Sequence, residues 1–339
     1  MSALLEVVQL RKHFPIKGGI FNRQTATVRA VDGVSFNVEQ GETLGVVGES
    51  GCGKSTTARL TMHLIEPDEG TIVFDGKTVG SSQMPLRSLR RQMQMVFQDS
   101  FASLNPRLTI EESIAFGPQV HGVSKTEARE RARDLLARVG LNPAQFIRRY
   151  PHELSGGQRQ RVNIARALAL QPRLIILDES VSALDKSVQA QVLNLLADLK
   201  EEFGLTYLFI SHDLHVVQYM SDRVMVMYLG RIAEVGPVRE LYGNPLHPYT
   251  RGLLSAMPSL DPDKRTAAPP LAGDPPNPIN PPSGCRFRTR CPHAEPVCAE
   301  QEPALAAVGA DRLVSCHMAV AGSGHSKAGM AAELAAEPA

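Results

Sequence analysis

The chain has 339 residues, and its 36 Lys+Arg against 35 Asp+Glu leave a formal charge of +1. That balance argues against a protein that grips nucleic acid through a broad basic face. Hydrophobic residues make up 43 %, too many for a disordered chain, yet no uncharged apolar run reaches the roughly 18 residues needed to span a bilayer. Length alone predicts about two domains.

The start, MSALLEVVQLRKHF, lacks the basic-then-apolar layout of a secretory signal, so the expected location is cytosolic, with any membrane contact made through a partner. Residues 4–10 (LLEVVQL) read as a strand, and Val34, Phe36 and Val38 alternate inward before a turn at Gln40-Gly41. The run 43–47 (TLGVV) is mostly apolar, as in a strand buried on both faces. Thr71–Phe74, Asp75-Gly76 and Lys77–Val79 predict a hairpin.

Residues 100–149 are rich in Arg and Glu at helical spacing and read as a helical insertion. Strands return at 174–177 (LIIL) and 207–211 (YLFIS). Between them Val188, Val192, Leu195, Leu196 and Leu199 recur at helical spacing. That order predicts an α/β core with parallel strands. Residues 223–236 read as a closing hairpin. Beyond Met257 the composition shifts, with nine of the 24 prolines falling in 258–282, which predicts a stiff, irregular segment.

Gly48-Glu49-Ser50-Gly51-Cys52-Gly53-Lys54-Ser55 fits G-x-x-x-x-G-K-[ST], after a strand and before a helix that opens Lys54-Ser55-Thr56. Glycines let successive N–H groups face one point, and the helix N-terminus adds partial positive charge there. Lys54 is expected to reach the β- and γ-phosphates of ATP, and the Ser55 hydroxyl to ligate Mg²⁺. Cys52 reads as a small residue that fits the loop. Asp178 and Glu179 close the apolar run 174–177, at the strand end where α/β folds bind ligands. Asp178 is expected to hold Mg²⁺, and Glu179 to polarise the attacking water. Ser155-Gly156-Gly157-Gln158 opens another helix, with Ser155 as N-cap and two glycines baring a second anion-binding helix end.

LSGGQ (154–158) after a phosphate loop and before an Asp-Glu strand resembles the ATP-binding cassette (ABC) family. The resemblance implies a loop glutamine at Gln98 that contacts Mg²⁺ and the attacking water near a membrane partner. It implies an interface loop at Ser182-Ala183-Leu184-Asp185 and a switch histidine at His212. Phe14 is the expected adenine-stacking aromatic. Ser180 follows Glu179 where most members carry Pro.

Residues 244–260, 282–305 and 314–317 resemble the ATPases of oligopeptide/dipeptide importers. The implied fold is an α/β P-loop NTPase core of ABC type, with an antiparallel β subdomain, a helical subdomain at about 100–167 and an irregular C-terminal metal-binding extension. The expected boundaries are 1–255 for the ATPase domain, 256–320 for the Pro-rich four-cysteine region and 321–339 for a disordered tail. Cys285, Cys291, Cys298 and Cys316 are spaced C-x5-C-x6-C-x17-C, wider than usual for zinc and compatible with an iron–sulfur cluster. The importer resemblance implies a [4Fe-4S] cluster, with Zn²⁺ the alternative and His293 and His317 near enough in sequence to serve it.

The family further implies that the signature of one subunit closes on the nucleotide of a second ATPase subunit, as a heterodimer or a homodimer. Two transmembrane permease subunits and an extracytoplasmic solute-binding protein would complete an importer of di- and oligopeptides. The chain would then sit peripherally on the cytoplasmic face of the inner membrane and bind no nucleic acid. The rival reading is a soluble ABC ATPase with a metal- or redox-sensing role.

Overall fold

The computed structural model describes residues 3–18, 23–258 and 273–329. In chain order the elements open with β1 (Ala3–Gly18), β2 (Arg23–Glu39), β3 (Thr43–Val47), α1 (Lys54–Thr61), β4 (Glu69–Phe74), β5 (Lys77–Thr78), α2 (Leu86–Gln92) and β6 (Met93–Val96). Helices α3 (Ile110–Val120), α4 (Lys125–Arg138), α5 (Pro143–Phe146) and α6 (Gly156–Leu168) follow, then β7 (Leu174–Asp178), α7 (Lys186–Phe203), β8 (Thr206–Ile210) and α8 (Leu214–Met220). The chain continues through β9 (Arg223–Tyr228), β10 (Arg231–Pro237), α9 (Val238–Gly243), α10 (Pro248–Ser255), α11 (Pro296–Glu300), β11 (Ala306–Ala307) and β12 (Leu313–Val314).

These elements fall into two compact units. The first comprises Met1–Leu5, Val38–Thr43 and Val73–Ser211; the second comprises Glu6–Asn37, Leu44–Ile72 and His212–Ala339.

In the first unit β8, β7 and β6 lie side by side and parallel, with Asp178 opposite Ile210 and Leu174 opposite both Thr206 and Met93. All residues of β7 and β8 are buried, as a strand covered on both faces requires. Along α7 the buried residues Val192, Leu196 and Leu199 recur at the spacing read from the sequence, whereas Val188 and Leu195 are half-buried. Helices α3, α4 and α6 pack on one another. A capping box between Thr109 and Glu112 opens α3, and the Ser124 hydroxyl caps α4.

In the second unit the strand order is β11-β12-β10-β9-β3. Here β3 and β9 are parallel, while β10 pairs antiparallel with β9 through a turn at Leu229 and Gly230, both at positive φ (44° and 77°). Strands β1 and β2 run much further than the short apolar cores read from sequence. Their outer halves are defined by the pairing of β1 with β2.

The C-terminal region is less irregular than expected. β12 adds to the edge of β10, with Glu234 opposite Val314, and Leu246, Val314, Cys316 and Met318 form a small apolar core. Within 321–329, expected as a tail, His325 is buried, its Nε2 lies 2.8 Å from the His293 carbonyl oxygen, and Gly329 donates to the Met318 carbonyl at 2.9 Å. The expected tail beyond 329 and the part of the Pro-rich segment at 259–272 lie outside the described residues.

Candidate functional site

The second unit carries the phosphate loop. It leaves buried β3 at Gly48 and enters α1 at Lys54, and Gly53 caps the helix in the left-handed region at φ 107°. A side chain at Gly53 would run into the Ala30 carbonyl oxygen. No side chain caps α1 and no acidic residue sits in its first turn, so its N–H groups and partial positive charge are available to an anion. Lys54 is 6 % exposed and lies along its own loop, donating to Gly48 O at 2.7 Å and Glu49 O at 3.1 Å. Burial pushes the Cys52 thiol up, which suits a small space-filling residue. Ser50 and Gly51 are exposed; Ser55 and Thr56 are half-buried.

Phe14 also belongs to the second unit, on β1, 36 % exposed and with the Lys12 ammonium 5.8 Å from its ring centre. His212 stands exposed just before α8, whose N-cap is Asp213.

The first unit brings Gln98 and Glu179 together: the Gln98 amide donates to the Glu179 carboxylate at 2.9 Å. Asp178 ends β7 and is 3 % exposed. Glu179 sits at φ 46°, unusual for a non-glycine residue. Hydrogen bonds hold it there: its N–H donates to Ile210 O at 2.9 Å, and its carbonyl accepts from the Ser182 hydroxyl at 2.8 Å. Ser180, in place of the usual Pro, is buried.

The signature opens α6 with a capping box. The Ser155 hydroxyl accepts from the Gln158 N–H at 3.3 Å, and the Gln158 side chain accepts from the Ser155 N–H at 3.0 Å. Gly156 is half-buried. Gly157 has a role that its helix-opening position did not disclose: a Cβ there would collide with Val188 Cγ1 of α7. Asp185 caps α7, accepting from Val188 N–H at 3.0 Å, and that hydrogen bond holds its carboxyl below the usual range.

All four C-terminal cysteines line one cavity, together with His247, His293, His317 and His325. All five cysteines of the chain are free thiols. Burial pushes Cys285 up, Cys291 to about 11 and Cys316 to about 12. The expected metal-binding geometry is not borne out. Among the described residues no group of three or more His, Cys, Asp or Glu is arranged to hold a metal ion. The donors line one cavity, but burial raises the Cys285, Cys291 and Cys316 thiols, whereas ligation requires thiolates.

Two residues flanking these cysteines escaped the sequence reading. Arg286 donates to the Asp32 carboxylate and to Leu229 O, and Arg290 forks onto Glu49 of the phosphate loop. Neither partnership has a local sequence signal.

Residues 31–182 match the family model described as ABC transporter, which sets the class: an ATP-binding cassette protein. Residues 233–298 match a second one, Oligopeptide/dipeptide transporter, C-terminal region. The oligopeptide transport ATP-binding protein AppF of Bacillus subtilis is 54 % identical over 326 residues, 94 % of this chain and 98 % of the relative. The oligopeptide transport ATP-binding protein OppF of Escherichia coli is 54 % identical over 90 % of this chain and 93 % of its own. Among solved structures, cbiO1 of Clostridium perfringens, part of the transporter complex cbiONQ, aligns with TM-score 0.61 at 28 % identity, covering 71 % of this chain and 91 % of that one. The cassette MJ0796, a dimer bound to ADP and Pi, aligns with TM-score 0.59 at 29 % identity, covering 69 % of this chain and 99 % of its own. The protein belongs to the ABC transporter family, in its oligopeptide transport ATP-binding branch.

Proposed function

We propose that this chain is the ATP-hydrolysing subunit of a peptide importer, with Gly48–Ser55 as its phosphate loop. The observation that carries the nucleotide site is the head of α1, with a left-handed glycine at the cap, no capping side chain and a lysine laid along the loop. Lys54 leaves the Gly48 and Glu49 carbonyls for the β- and γ-phosphates of Mg-ATP. Ser55 and Asp178 are the Mg²⁺ ligands, Gln98 contacts the ion and the attacking water, and Phe14 stacks on adenine. Glu179 takes the proton of the attacking water as the γ-phosphoryl group departs to water, giving ADP and phosphate. His212 contacts the γ-phosphate.

Ser155–Gln158 close on the nucleotide of a second ATPase subunit, with Asp185 at the interface. The dimeric state of the MJ0796 cassette bound to ADP and Pi supports this assembly. ATP bound between two such subunits favours the closed pair and hydrolysis releases it.

Residues 1–255 form the ATPase domain and 256–320 its accessory region. Among the described residues no helix is long and apolar enough to cross a membrane. The relatives named for oligopeptide transport support placing the chain peripherally on the cytoplasmic face, beneath two permease subunits that receive peptide from an extracytoplasmic binding protein. The soluble redox-sensing ATPase finds no support among relatives named for oligopeptide transport.

Were the region to take up metal, Cys285, Cys291, Cys298 and Cys316, which line one cavity, are the residues that would hold a [4Fe-4S] cluster or, as the alternative, Zn²⁺. When bound, that group supplies four covalent staples to a region whose own apolar core is small. The deciding experiment for the transporter role is co-purification of the tagged chain with detergent-solubilised permease subunits. A chain that remains alone in the soluble fraction while its permeases are expressed contradicts it.

A further inference from the structure

The loop that carries Cys285 and Cys291 reaches back to the phosphate loop. Arg290, one residue before Cys291, has a side chain only 5 % exposed. Its guanidinium forks onto the Glu49 carboxylate, Nη1 to Oε2 at 2.7 Å and Nη2 to Oε1 at 3.0 Å. The two parallel bonds fix both distance and plane, and they raise the Arg290 pKa further. The backbone of Glu49 is held from the same region: its N–H donates to the Tyr249 hydroxyl at 2.9 Å. Tyr249 packs against Phe287, ring centres 5.4 Å apart, two residues beyond Cys285. Lys54 in turn donates to the carbonyl of the clamped residue, Glu49.

A fully exposed ion pair contributes little. This pair differs in being part-buried, bidentate and joined across 241 positions of sequence to a loop that must hold one backbone conformation. It also cancels a carboxylate charge beside the place where ATP phosphates would lie. An unpartnered Glu49 would repel them.

We propose that Arg290 is a positioning residue for ATP: by clamping and neutralising Glu49 it holds the Gly48–Ser55 backbone ready for the phosphates and thereby sets nucleotide affinity. The inference rests on the reading of Gly48–Ser55 as the phosphate loop. It gives the cysteine-bearing loop a function in the ATPase cycle, since anything that displaces residues 285–291 loosens the grip on Glu49.

The test is equilibrium binding of a fluorescent ATP analogue with Mg²⁺ to the full chain. Arg290→Ala is expected to raise Kd about tenfold through the lost charge-assisted pair, with KM for ATP rising more than kcat falls. Arg288→Ala alters the same loop, where Arg288 bonds Ser283, and is expected to leave nucleotide affinity unchanged. In the double variant Glu49→Gln with Arg290→Ala, the two effects should not add, because both remove one pair. Should Arg290→Ala fail to fold, Arg290→Lys decides, since it keeps the charge and loses the fork; its Kd should rise about threefold. Wild-type affinity in Arg290→Ala, or in Arg290→Lys where the alanine variant does not fold, or additive effects in the double variant, overturns the proposal. A wild-type chain that binds no nucleotide removes the phosphate-loop reading instead.

Discussion

The Gln98 amide donates to the Glu179 carboxylate at 2.9 Å, so the residue assigned to the Mg²⁺–water cluster and the proposed general base already form one unit. Glu179→Gln keeps an oxygen acceptor for Gln98 and removes the base. ATP binding should survive, while turnover falls about 10²–10⁴-fold and the closed dimer accumulates. Phosphate-release kinetics with size-exclusion chromatography in ATP check this; normal turnover refutes the general-base role. Gln98→Ala leaves the carboxylate present but less well oriented, and should cost less, about tenfold.

Gly157 tests whether the signature glycines serve packing as well as phosphate. A Cβ at 157 meets Val188, a stiff β-branched residue on α7. Gly157→Ala should therefore destabilise the chain by about 1–3 kcal/mol through overpacking. Adding Val188→Ala opens the space, and the thermal midpoint should recover. If the ATPase rate recovers with it, the damage at 157 was steric. Recovery of stability without activity assigns Gly157 to nucleotide contact as well.

Asp32 is 5 % exposed and faces Arg286, Arg231, Arg11 and His13. Burial alone would raise its pKa, but the Arg286 and Arg231 guanidiniums outweigh burial and hold it below the usual carboxylate range. Because the folded value lies below the unfolded one, Asp32 stabilises the fold fully above about pH 4. That contribution fades as pH falls through the depressed folded value. Asp32→Asn leaves a buried guanidinium without its charge partner, and should cost about 3 kcal/mol at pH 7. Denaturant melts at pH 7 and below pH 3 measure it; the gap between wild type and variant should shrink in acid. An equal gap at both pH values excludes the ion pair as the cause.

The nucleotide loop and the Asp178-Glu179 strand end were legible because each is contiguous: a buried strand, a few fixed residues and a helix start carry the whole signal. β6 was not. Met93–Val96 is four residues long, follows α2 without a turn and is interrupted by Gln94; its pairing with β7 is what makes it a strand. The outer halves of β1 and β2 escaped for the same reason: their pairing with each other is what defines them. The Arg290–Glu49 pair and the two-residue strand β12 are tertiary facts, set by partners far along the chain. The meeting of four cysteines at one cavity was foreseeable from their crowding in sequence, but the burial that raises Cys285, Cys291 and Cys316 was not.

Those thiols give the last prediction. In the free state burial keeps Cys291 and Cys316 protonated at neutral pH, so loading with metal must release protons and draw the sulfurs inward. If the cysteines do take up a [4Fe-4S] cluster, anaerobically purified chain carries iron and acid-labile sulfide and absorbs broadly in the visible. Cys316→Ser should lose most of both. Because Cys316 belongs to the small core with Leu246, Val314 and Met318, the same variant tests the staple. If the bound group organises 285–318, loss of iron should be matched by faster proteolysis of that region and little change in the melting of 1–255. A colourless protein with stoichiometric zinc transfers the site to the alternative metal, and a protein that binds neither at its cysteines ends the metal reading.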